Sequence, residues 1–135
     1  MVNRITYEPI TELYPHEIAV CGSNLAGRHG AGFAKFCLNN FGAIYGKGFG
    51  PQGQCYMIPT KDHNIKTLPL SDIALYVKVF IEYARLNPNL IFKVSSIGTG
   101  YARITVNDIA PLFKDVIDIK NIHLPIAFWD ILNNE

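Results

Sequence analysis

Apolar and polar positions fall into alternating blocks along the chain, and the blocks differ in period. Residues 17–22, EIAVCG, are a short apolar run closed by glycine, which predicts a buried strand. A glycine-rich stretch leads into residues 31–42, where Phe33, Phe36 and Cys37 recur at helical spacing and Gly42 supplies a stop. Residues 42–53 hold five glycines and a proline and predict a loop with little regular structure. Residues 54–60, QCYMIPT, predict a second strand that Pro59 ends or marks as a sheet edge. After a polar connection, Ser71 is the expected cap of a helix over residues 71–87. Ile73, Val77, Phe80, Ile81 and Ala84 form its apolar face, and Asn87 and Pro88 end it. Residues 90–98, LIFKVSSIG, are rich in branched and aromatic side chains and predict a strand. A third helix is expected over 106–118, capped by Thr105 or Asn107, with Pro111 in its first turn. Residues 121–129 close as a strand with an aromatic tail, and residues 4–9 offer an opening strand.

Strands alternating with helices predict an α/β layered domain spanning residues 1–135, with a mostly parallel central sheet and right-handed crossovers. Ligands of such sheets bind outside the carboxyl ends of the strands. Two glycine loops, GSNLAGRHGAG at 22–32 and GTGYAR at 98–103, each follow a predicted strand directly. Both therefore belong at that end.

Composition narrows the function classes. With 49% hydrophobic and 17% charged residues, the 135-residue chain suits one compact core rather than a disordered segment. A net charge of +1 does not indicate a nucleic-acid protein held by bulk charge, although local anion sites remain open to it. The three cysteines, Cys21, Cys37 and Cys55, are odd in number and show no repeated short spacing. They are expected to be buried free thiols, with neither a disulfide framework nor a metal site. The N-terminus lacks the apolar region of a secretory signal, and no uncharged run approaches the ~20 residues that cross a bilayer. The expected location is cytoplasmic, with no membrane partner.

The glycine loops carry the candidate chemistry. A helix entrance presents free backbone N–H groups and the positive end of the helix dipole, and glycine lets a ligand approach without a Cβ in the way. Gly27, Gly30 and Gly32, between a strand and a helix, make a cradle for a phosphate or phosphate ester. The spacing is neither GxxxxGK[ST] nor GxGxxG, which disfavours a nucleoside-triphosphatase loop and a dinucleotide-binding Rossmann turn. Asn24 either hydrogen-bonds a ribose hydroxyl or shapes its own turn. Arg28 faces either a phosphate or solvent, and His29 is expected in solvent. Gly98 and Gly100 offer a second cradle, so that the two loops can clamp a diphosphate between them. Tyr101 either covers the ligand or packs under its own loop. Lys61, in PTKD at the end of the second strand, is a solvated lysine, a cation for a sugar diphosphate, or a neutral amine able to attack an anomeric carbon. Asp62 beside it is a base, an ion-pair partner or a turn residue.

Asn24, Gly27, Gly30, Gly32 and Ala34 form the pattern N-x-x-G-x-x-G-x-G-x-A, which resembles the first ligand loop of macrodomains. PTK at 59–61 resembles their strand-end P/I-T-K signature, and IGTGYAR at 97–103 resembles their I-G-C-G-L loop. The order and approximate spacing of all three agree over about residues 17 to 127. The chain is most similar to small macrodomain-like proteins of bacteria and their phages that share the G-S-N-L-A-G-R-H-G-A-G loop. The resemblance implies a three-layer α/β/α macrodomain-like fold with a mixed, mostly parallel sheet. It implies a cleft for ADP-ribose, a related NAD-derived nucleotide or an ADP-ribosylated macromolecule, with no cofactor. Ser23, Asn24, Gly27, Arg28, Gly30, Ala31 and Gly32 would contact the distal ribose and diphosphate, with Thr60 beside them, and Gly98, Thr99, Gly100 and Tyr101 would close over the diphosphate. One macrodomain branch removes ADP-ribose through a lysine, matched here by Lys61, helped by an aspartate in the second loop. Ala102 stands at the matching position, which leaves Asp62 and Asp108 as substitutes. Hydrolysis of an ADP-ribosyl bond, sequestration of a nucleotide signal without turnover, and a purely structural or interaction role thus remain three distinct expectations.

Overall fold

The computed structural model describes residues 4–134. Its first two strands are β1 (Ile5–Thr6) and β2 (Glu17–Asn24), followed by helix α1 (Gly32–Asn40), β3 (Gly50–Gln52) and β4 (Cys55–Lys61). Helix α2 (Leu70–Arg85), β5 (Ile91–Val94), the single turn α3 (Val106–Ile109) and a 3-10 helix (Ala110–Asp118) come next, then β6 (Ile122–Pro125) and α4 (Ile126–Asn133). The strands form one six-stranded sheet in the order β1-β6-β5-β2-β4-β3. Every neighbouring pair is parallel except β3 with β4, so the protein is an α/β fold on a mixed, mostly parallel sheet.

The apolar runs at 17–22 and 54–60 have no polar alternation because both faces of β2 and β4 are covered. Val20, Tyr56 and Ile58 point to one side, where they meet Ile73, Val77, Phe80, Ile81 and Ala84 of α2 together with Phe113, Phe128 and Trp129. Phe80 anchors this core, with ring centroids 5.0 Å from Tyr56 and 5.6 Å from Phe92. Ala19, Cys21, Cys55 and Met57, one residue out of phase, form a smaller core with Cys37 of α1 and with Ile10, Phe41 and Ala43. The three cysteines are free and buried.

Six sequence expectations change. Pro59, expected to end its strand or mark a sheet edge, lies inside β4, which runs on to Lys61 between β2 and β3. Residues 126–129, read as the tail of a strand, open α4 instead. Pro125 ends β6 at φ −58 and precedes the helix, and Phe128, Trp129 and Leu132 bury one helical face. Apolar runs of this length fit either period, and tertiary packing decides between them. Residues 42–53 are not wholly irregular, since Gly50–Gln52 pairs antiparallel with β4 as the sheet edge. Pro51 lacks an N–H, and Lys47 Nζ donates to its carbonyl at 2.8 Å, which blunts that edge against further pairing. Helix α2 begins at Leu70 behind Pro69, so Ser71 lies inside the helix rather than at its cap. The third helix changes from α to 3-10 at Ala110, because Pro111 cannot supply the amide that an α-turn needs there. Thr105 is its cap, accepting from the Asp108 amide at 3.2 Å. Strand β5 stops at Val94, so residues 95–98 turn out along the rim. Among the described residues no helix is long and apolar enough to cross a membrane.

Candidate functional site

A cavity of about 430 Å³ opens at the carboxyl ends of β2, β4 and β5. From the first loop it is lined by Ser23, Asn24, Arg28, Gly30, Ala31 and Gly32. Thr60 and Lys61 reach it from the end of β4, and Gly98, Gly100 and Tyr101 from the second loop. A second hollow of about 460 Å³, between α2 and Phe49, is lined by apolar side chains with Asp72 alone charged. It has no converging polar groups, which sets the glycine-lined cavity apart as the candidate site.

The glycines divide into two kinds. A Cβ on Gly30 or on Gly100 would meet nothing within 4 Å. These two positions keep the cavity open. Gly27 lies outside the cavity lining: its φ is +71 and a Cβ would stand 2.2 Å from the Gly46 carbonyl carbon. It serves the close packing of the first loop on residues 42–53. In the same contact the Ser23 hydroxyl donates to the Gly48 carbonyl. Gly32, at φ +59, lies beneath Tyr101, whose Cε2 would stand 3.1 Å from an added Cβ. The second loop thus closes onto the first across the cavity. Tyr101 itself is 70% exposed and lies over, not under, its surroundings.

Asn24 is committed to its own loop. Its Nδ2 donates to the Arg28 carbonyl and its Oδ1 accepts from the Arg28 amide, both at 2.9 Å. This clip fixes the turn that places Arg28 in the cavity lining. Thr99 also lies outside the lining, and its hydroxyl donates to the Ser96 carbonyl at 2.8 Å to close the second turn. His29, expected in solvent, is 1% exposed. The tight turn at Gly27 sends it inward, where Nε2 stands 3.1 Å from the Lys47 carbonyl and 3.3 Å from Gln52 Oε1. The buried Gln52 also accepts from the Ile44 amide at 2.7 Å, so His29 and Gln52 together brace the loop.

Lys61 points over the cavity with Nζ 5.8 Å from the centre of the Tyr101 ring, a cation–π distance. Arg28 and Lys61 are the only charged residues of the lining, which includes no carboxylate, imidazole or thiol. Asp62 faces its own turn: Oδ1 accepts from the amides of Asn64 at 2.8 Å and Lys66 at 3.0 Å. Those bonds, led by the Lys66 amide, hold its pKa below the usual carboxylate value. Asp108 lies in the first turn of α3 and is also absent from the lining. The Glu8 carboxylate holds the Ser96 amide at 3.1 Å and the Ser96 hydroxyl, which secures the second loop from outside the lining. The backbone amides of Gly30, Gly32, Gly98 and Gly100 find no acceptor among the described residues.

Gly22, Phe33, Ile65, Ser95 and Ser96 also line the cavity without having been expected there, as do Ala34, Ile97 and Ala102, which the two loop motifs contain. Ser95 to Ile97, expected inside a strand over 90–98, stand at the rim because β5 ends at Val94. Phe33, expected only at the helical spacing of α1, lies in its first turn and lines the cavity. Among the described residues no group of three or more potential ligands is arranged to hold a metal ion. Comparisons with protein-family models, with curated proteins and with solved structures found no match.

Proposed function

We propose that the cavity binds ADP-ribose or a related NAD-derived nucleotide, and that the layers around the sheet form a three-layer, macrodomain-like α/β/α arrangement. The observation that carries the reading is the convergence of two glycine loops on one cavity, with Tyr101 laid over Gly32 and unpaired amides on both sides. Unpaired amides in the lining, with Arg28 and Lys61 as counter-charges, suit a diphosphate. A volume of about 430 Å³ falls within the ~300–1,000 Å³ of small-molecule sites. Calorimetry with ADP-ribose tests the proposal. Binding heat is expected for the native chain and none for Gly30→Glu, whose carboxylate would fill the open space at that position. Absence of heat up to millimolar ADP-ribose would overturn it.

A second reading, hydrolysis of an ADP-ribosyl bond through Lys61, has less support. Cleavage of that bond needs a group to accept or deliver a proton near the anomeric carbon. The lining offers two cations and no carboxylate, and Ala102 holds the place where the resemblance puts an aspartate. Binding without turnover, of a free nucleotide or of an ADP-ribosylated macromolecule, is therefore the preferred form of the proposal.

A further inference from the structure

Ile65 is one of two non-glycine residues with positive φ among those described, at +63, the other being Arg103 at +58. A β-branched residue in the left-handed region is a true outlier, because Cβ crowds the following carbonyl. Glycine or asparagine would occupy the position with less strain. The turn that imposes this conformation is closed on all sides. The Ile65 amide donates to the Asp62 carbonyl at 3.1 Å, and the Asp62 amide donates to the Lys66 carbonyl at 2.7 Å. Lys61 and Thr67 bridge its base, and the Thr67 hydroxyl donates at 3.0 Å to the carbonyl of Ala102, next to Tyr101.

The side chain held there belongs to neither core. Ile65 is half-buried, is absent from both clusters of packed apolar residues, and lines the cavity. Strain retained at a residue that adds nothing to the core points to use at the site. The Thr67–Ala102 bond sets this turn beside the loop that carries Tyr101, and Lys61, bridged to Thr67, holds its Nζ 5.8 Å from the Tyr101 ring. Ile65 and Tyr101 thus give the cavity apolar and aromatic lining beside the glycine positions of the two loops.

We propose that Ile65 is a specificity-determining residue. It packs against the organic group attached to the phosphates, so the site selects a diphosphate carrying a sugar or ring over bare inorganic pyrophosphate. The inference rests on the anion-binding reading above and names the part of the ligand that the glycine loops do not touch.

Titration of the native chain, Ile65→Asn and Ile65→Leu with ADP-ribose and with inorganic pyrophosphate tests it, alongside thermal unfolding without ligand. Ile65→Asn should weaken ADP-ribose by about five- to tenfold, the factor carried by burying roughly half an isoleucine side chain. Its pyrophosphate affinity should move by less than about twofold on the same scale. Ile65→Leu keeps the apolar contact and should restore ADP-ribose binding. Ile65→Asn should also unfold a few degrees higher, roughly 3–6 °C, because the strain is relieved. An unchanged ADP-ribose affinity in Ile65→Asn, an equal loss for both probes, or a lowered unfolding temperature each overturns the inference while the anion-binding reading stands. Failure of both probes to bind the native chain removes the two together.

Discussion

Glycines that look alike in the sequence do unlike things in the fold. Gly27 and Gly30 are three positions apart in one loop. Yet a Cβ at Gly27 would stand 2.2 Å from backbone, and at Gly30 it would meet open space. Gly27→Ala should therefore cost about 2 kcal/mol or more, combining a steric clash with left-handed strain. Gly30→Ala should leave stability within ~0.5 kcal/mol, as substitutions away from packed features do. Urea unfolding of the two variants checks both; equal losses would show that the loop does not pack on residues 42–53 as described. Lys61 makes a sharper case on binding. Removing a cation that faces a phosphate costs roughly 1.5–3 kcal/mol, so Lys61→Met should weaken pyrophosphate at least about tenfold. Lys61→Arg should recover most of that loss, and a Lys61→Met protein that binds like the native chain would exclude a role for this ammonium. The sequence placed Lys61, Arg28 and Gly30 at one rim because each stands just past a strand. It could not place His29, because the partners that bury it, Lys47 and Gln52, come from a stretch whose packing leaves no periodic signal.

At the scale of elements, legibility followed the strength of the period. Helix α2 keeps one apolar face over four turns, and the five side chains expected on it are the five it buries. Helix α4 is apolar enough to read as strand, and only the shared core with Phe113 shows its period. The sheet also carries a polar seam with a consequence for pH. Glu17 of β2 pairs with Lys93 of β5 at 3.0 Å, and His123 lies on the neighbouring β6. Burial raises the Glu17 pKa, but the Tyr14 amide and Lys93 outweigh it and hold the value below normal. Its contribution to stability is present above the unfolded carboxylate pKa and is lost as pH falls through the folded one. Burial, then Lys93 and Arg4, lowers the pKa of His123 below 6.5. The unfolded chain then takes up that proton first, so stability declines as pH falls below 6.5 toward the folded value. The urea midpoint should accordingly drop between pH 7.5 and 5.5, and drop less in His123→Gln. A midpoint that rises on acidification, or an identical slope in the variant, would contradict the placement of this histidine.

For the molecule as a whole, the preferred reading is a nucleotide held without being cleaved, and that makes two measurable demands. A ligand that binds only the folded chain stabilises it by about 2.7 kcal/mol at a hundred times its dissociation constant. For a chain of 135 residues this is an upward shift of roughly 8–10 °C in the unfolding midpoint. On the proposed reading the shift should shrink with added salt, because a charged diphosphate would meet the two cations at a cavity open to solvent. The second demand concerns chemistry. With no carboxylate or imidazole in the lining, the native chain should return bound ADP-ribose unchanged. Incubated with an ADP-ribosylated peptide, it should release no more ADP-ribose than a buffer control, as read by mass spectrometry over hours. Release above that control, abolished by Lys61→Ala while ADP-ribose still binds, would move the protein from sink to hydrolase. The proton carrier would then have to come from outside the lining, and Glu8, which accepts from the Ser96 amide, is a carboxylate bonded to the second loop.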